Sequence, residues 1–120
     1  MHRCKIILIC ALLSCFSLSE AESDRTTRSP QLSNNRVKVW KTIIYPTSKK
    51  QLTMHRHDND RVIVALTEGL LKIVNNQGKI HYLTLKKNES YFLKKDPLNE
   101  LHTDENMSHH PIQVIVIEMV

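Results

Sequence analysis

Met54-His55-Arg56-His57-Asp58-Asn59-Asp60-Arg61 runs directly into Val62-Ile63-Val64-Ala65-Leu66 and then into Thr67-Glu68-Gly69. A pair of histidines, a β-branched run and a turn thus follow one another without a break. In an extended chain residues i and i+2 share a face, so His55 and His57 project together. The run from Arg61 to Leu66 is rich in β-branched side chains and reads as a core strand. Similar short segments flank it. Val37–Ile44 ends before Pro46, Gln51–His55 alternates polar and apolar, Leu70–Val74 precedes the turn Asn75-Asn76-Gln77-Gly78, and Lys79–Leu85 alternates again. Tyr91-Phe92-Leu93 is short, and Ile112–Met119 is a long β-branched run near the C-terminus. About seven or eight strands separated by turn signals indicate an antiparallel sandwich or barrel. No stretch carries a helical period with caps. The two glycines, Gly69 and Gly78, fall at expected hairpin turns, where a positive φ is needed.

The 120 residues allow one domain. Residues 1–21 read as a signal peptide: Arg3 and Lys5 precede the apolar run Ile6–Leu18, and Ser19-Glu20-Ala21 offers cleavage after Ala21. That run is shorter than the about 20 residues a membrane span takes, and no comparable run follows, so no transmembrane segment is expected in the mature chain. Export to the periplasm or outside the cell is expected. The alternative is a lipoprotein, since Leu12-Leu13-Ser14-Cys15 resembles a lipidation box. Cys4, Cys10 and Cys15 all lie in this leader, so the mature chain has neither a disulfide framework nor a cysteine nucleophile. Residues 22–35 are polar and without apolar period, and are expected to be a disordered lead into a domain over residues 36–120.

The mature chain carries a net charge near +4, dispersed as Lys49-Lys50, Lys86-Lys87 and Lys94-Lys95. Pairs of this kind describe a solvated surface, and the few aromatics do not interleave with them, so no nucleic-acid partner is expected. Trp40 is expected in the core, His81 toward solvent, and His109-His110-Pro111 as a turn into the last strand.

The chemistry concentrates on histidine. His55 and His57 form half of a metal site, and His102, expected in a polar loop before the last strand, supplies a third imidazole. Three histidines with an open position suit a divalent transition metal: iron, zinc, manganese, nickel or copper. Alternation directs Asp58 and Asp60 away from this face. In a second reading the three histidines and Arg61 line a pocket for a small anionic ligand, because the planar guanidinium fork matches a carboxylate. A third reading has these groups satisfying one another with nothing bound.

Residues 51–119 resemble a cupin domain, the small double-stranded β-helix or jelly-roll barrel. The first cupin motif is matched at His55-Arg56-His57 and Gly69, and the end of the second at His102-Thr103-Asp104-Glu105-Asn106. Arg61–Gly69 and Ser90-Tyr91-Phe92 are similar to a group of small single-domain bacterial cupins of mostly unassigned function. The resemblance implies an all-β cupin-type jelly-roll barrel in a single small domain, with a metal on His55, His57 and His102. It also departs from the pattern. Arg61 stands where the motif glutamate ligand is expected, and Asn88 and Lys95-Asp96-Pro97-Leu98 replace the glycine-bearing part of the second motif. Arg61 remains protonated and does not coordinate. Asn106 joins Arg61 as a pocket residue by its motif position, although its amide equally suits bonds that hold the loop.

The expected function is an exported cupin-like protein binding a divalent metal or a small anion, with no assigned catalysis. The alternatives are a metal-dependent oxygenase or isomerase on the three histidines, and a lipid-anchored or secreted protein that contacts a partner protein. Exposure of an apolar edge along Val37–Ile44 points to a homodimer.

Overall fold

The computed structural model describes residues 26–46 and 53–120. The expected signal, with Cys15, lies outside the described residues. All of the regular structure described is β: β1 (Thr27–Ser33), β2 (Val37–Ile44), β3 (Arg61–Ala65), β4 (Gly69–Asn75), β5 (Ile80–Leu85), β6 (Ser90–Leu93), β7 (His102–Asn106) and β8 (Ile112–Met119). They form a five-stranded sheet in the order β1-β2-β8-β3-β6 and a three-stranded sheet in the order β5-β4-β7. Every ladder is antiparallel. This is a small all-β jelly-roll barrel.

Alternation along the strands builds the core. On β8 the buried side chains are Ile112, Val114 and Val116, and on β3 they are Arg61, Ile63 and Ala65. The register sets Ile63 against Val116 and Ala65 against Val114, so the two rows merge. Trp40, Leu71 and Leu85 complete the cluster, with Ile44, Leu83, Tyr91 and Leu93 packed against it. The inward row of β3 therefore changes from apolar to charged at Arg61, toward the end of the barrel where the histidines gather.

Three expectations are corrected. The first concerns the leader: Thr27–Ser33 is strand β1 and not disordered, although every one of its residues is exposed. Its polar sequence carries no apolar period because backbone bonds to β2, rather than burial of side chains, hold it in place. In consequence β2 is not an edge, since β1 covers it within the same chain. The outer edge passes to β1, where Pro30 and a register shift between Pro30 and Leu32 blunt further pairing. The second concerns Gly69, which begins β4 without a positive φ. A Cβ there would fall inside contact distance of Ile112 Cγ1 and Cδ1, so the residue is needed for close approach. Gly78 does take the left-handed conformation (φ 81°). The third concerns His102, which lies on strand β7 and not in a loop. That strand reads His-Thr-Asp-Glu-Asn and shows no hydrophobic alternation, because its inward face lines a polar site.

Candidate metal centre

Two backbone contacts set the histidine segment in place. His55 and His102 form an isolated antiparallel bridge, His55 N–H donating to His102 O (2.9 Å) and His102 N–H to His55 O (2.8 Å). Two residues on, His57 N–H donates to Asp96 Oδ2 (2.7 Å) and Asp96 N–H donates back to His57 O (2.9 Å). Arg56 points the other way and fastens the same loop, donating from Nε to Pro97 O (3.1 Å) and from Nη2 to Asp96 O (3.0 Å) while pairing with Asp58. Asp60 accepts a bond from Lys95 N–H (2.8 Å). Asp58 and Asp60 are thus committed outside the histidine cluster, as alternation implied.

On the inner side the three imidazoles converge. Their ring centroids are 4.8 Å apart for His55 and His57, 4.5 Å for His55 and His102, and 5.3 Å for His57 and His102. A fourth donor joins them. Asp104 sits two residues after His102 on β7 and so shares its face. One ligand atom from each of His55, His57, His102 and Asp104 lies within 4.8 Å of the others. Asp104 Oδ2 is 3.1 Å from His55 Nε2, and its Oδ1 is 3.7 Å from His102 Nε2. The sequence reading missed Asp104 because it placed His102 in a loop. The i, i+2 spacing of His102 and Asp104 was the available signal. It also missed Asp96, whose Oδ2 lies 3.2 Å from His102 Nδ1. A carboxylate at Nδ1 leaves Nε2 free to face the cluster.

The electrostatics follow from these positions. The Asp104 carboxylate holds the His55 imidazolium and raises its pKa, against the opposing effect of burial. Burial favours the neutral acid in Asp104, but the bond from His55 and the nearby imidazoles outweigh it, and its pKa is lowered. His57 is pushed down to about 4, first by burial and then by the charge of Arg61. His102 is lowered by burial, opposed by Asp104 and Asp96. Burial thus favours the neutral form of His57 and His102, while the Asp104 carboxylate favours the charged form of His55. Neutral imidazoles and an ionised carboxylate are the forms a divalent metal requires. A set of three nitrogens and one oxygen fits such a cation.

Arg61 is buried, 6% exposed, at the end of the inward row of β3. Asn106 is also buried, but it is not a pocket residue. Its Nδ2 donates to Ile44 O (2.9 Å) and His110 O (2.8 Å), and its Oδ1 accepts from Ser108 N–H (2.8 Å). Both N–H groups and the oxygen of its amide hold the β7–β8 connection against the end of β2. The departures in the second motif also have a physical explanation. Asn88 (φ 68°) and Asn99 (φ 66°) occupy the left-handed region, where asparagine is the most tolerant residue after glycine. Pro97-Leu98-Asn99 therefore performs the turn of Pro-x-Gly with asparagine in place of glycine.

No protein-family model matches the sequence, and no curated protein matches it. Solved structures do. A cupin domain from Bordetella pertussis is 25% identical, with a TM-score of 0.65, covering 79% of this chain and 93% of that one. An RmlC-like cupin family protein with a double-stranded β-helix fold from Methanocaldococcus jannaschii is 9% identical, with a TM-score of 0.57 and coverage of 82% and 83%. A cupin superfamily protein from Desulfitobacterium hafniense is 12% identical, with a TM-score of 0.57 and coverage of 87% and 85%. With its two antiparallel sheets, its inward histidines and these neighbours, the chain belongs to the cupin superfamily.

Proposed function

We propose that this protein binds a divalent first-row transition metal through His55, His57, His102 and Asp104. The convergence of their four ligand atoms within 4.8 Å carries the reading. The carboxylate arrives from β7 rather than from the position after the His-x-His motif, where Arg61 stands. The charge of Arg61 opposes a dication, and Asp96 and Asp104 offset it. His55 would ligate as the neutral ring, so protonation of His55, which Asp104 favours, competes with metal uptake. A bound metal would act as a Lewis acid toward a small ligand, with the residues fixing its position.

Metal analysis of the purified protein tests this. About one equivalent of a transition metal is expected. It should be lost in His55→Ala and His57→Ala, and weakened in Asp104→Asn. A parent protein that neither retains such a metal nor shifts its imidazole resonances on zinc addition would refute the reading. We propose further that the chain works in exported form after cleavage following Ala21. Mass spectrometry of the exported product separates this from lipidation at Cys15.

A further inference from the structure

We propose that the metal centre receives a small carboxylate as its outer ligand and that Arg61 is the residue that binds it. The proposal rests on the metal reading above and names the ligand class of that site. Its starting observation is an unmet donor. Arg61 is 6% exposed, and its Nη1 is sealed from solvent without a hydrogen-bond partner among the described residues. A cationic N–H left unpaired in the interior is costly, and native structures retain such a group where something meets it.

The neighbouring acids do not meet it. Among the described residues no carboxylate oxygen lies within 4 Å of the Arg61 guanidinium. Asp96 is engaged by His57 N–H and His102, Asp104 by His55, and Asp60 by Lys95 N–H. Glu118 stands opposite Arg61 in the β3–β8 register but remains outside ion-pair distance. Arg61 begins the inward row of β3, four residues after His57. It is therefore on the strand that the histidine segment leads into, and the His55 side chain, 41% exposed, is the part of the cluster that solvent reaches.

Charge balance identifies the ligand. Asp96, Asp104 and Arg61 together carry one negative charge when His55 is neutral. A dication converts this to one positive charge, and a monocarboxylate restores neutrality. One carboxylate oxygen can face the metal while the other accepts from Nη1, and the planar fork of arginine suits that geometry where a lysine would not. Ile63, opposite Val116, continues the inward row beyond Arg61, and acetate, a minimal carboxylate, is the probe.

The test uses cobalt(II)-loaded protein, whose visible absorption reports the ligand shell, titrated with acetate at constant ionic strength. The parent is expected to show a saturable spectral change. Arg61→Lys should weaken acetate binding by about tenfold or more. Arg61→Met should remove it while holding cobalt at least as tightly, because a repelling charge is gone. Acetate binding that survives unchanged in a folded Arg61→Met or Arg61→Lys protein overturns the proposal. If the parent takes up no cobalt, the metal reading fails separately. Acetate is then titrated into metal-free protein and the Arg61 guanidinium N–H signals are followed: a saturable shift upholds the anion site, and no shift overturns it.

Discussion

Replacing Asn106 by Leu removes an amide at the junction of three chain segments while keeping the number and branching of its side-chain heavy atoms. The side chain is 2% exposed and makes three hydrogen bonds, to Ile44 O, His110 O and Ser108 N–H. Each is worth about 1 kcal/mol net, and leucine leaves the three backbone partners buried without replacement. The expected loss is therefore about 3 kcal/mol. For a domain of this size that lowers the melting temperature by roughly 12–24 °C. Asn106→Asp should be no better, since it keeps the acceptor for Ser108 N–H but turns a carboxylate toward two carbonyl oxygens. Thermal unfolding followed by circular dichroism measures both. Metal affinity, measured well below the new melting temperature, should stay unchanged. A fall of less than about 4 °C combined with weakened metal or anion binding would show that Asn106 serves the pocket and would refute the structural assignment.

Asp96→Asn should lower metal affinity by about 10–100-fold, because the carboxylate beside Nδ1 orients the His102 ring; equilibrium titration with zinc checks it, and unaltered affinity would remove Asp96 from that role. Metal-free protein should lose stability as the pH falls from 6.5 toward about 4, read by denaturant unfolding at fixed ionic strength. In that window the unfolded chain binds more protons at His57 and His102, whose folded pKa values are lowered, so acid favours unfolding. His55, whose folded pKa is raised, contributes in the opposite sense: its stabilisation is present below pH 6.5 and is lost as the pH rises through the folded value. Because the His55 contribution changes only above pH 6.5, His57 and His102 set the sign below it. Gly69→Ala should cost about 1–3 kcal/mol by forcing Ile112 aside. Pairing it with Ile112→Ala should cost less than the two separate losses added together, and strict additivity in denaturant unfolding would exclude the contact as the cause.

The barrel and two histidines of the candidate site were legible in one short stretch. The spacing of His55 and His57 places both on one face whatever the rest of the chain does, and the β-branched runs at Arg61–Ala65 and Ile112–Met119 became strands because their alternation makes a core. Local chemistry also announced Gly78, whose turn needs a left-handed residue. Segments without an apolar period were not legible. Thr27–Ser33 and His102–Asn106 are strands because of what they lie beside: the edge of β2 in the first case, and β4 with the histidine bridge in the second. Nothing in their own composition favours a strand, so a reading based on hydrophobic pattern took them for a leader and a loop.

The site divides in the same way. Sequence by itself singled out three histidines and an arginine, with Arg61 at the position of the motif glutamate. Only the tertiary structure decided which carboxylate joins the histidines. Asp104 joins His55 and His57 across nearly fifty residues of chain because β7 pairs with β4 and bridges to His55. The same folding buries Arg61 and leaves its Nη1 unpaired among the described residues. Residue spacing fixes which side chains share a face of one strand. Which faces meet, and which polar atoms are left without a partner, depends on how the sheets close.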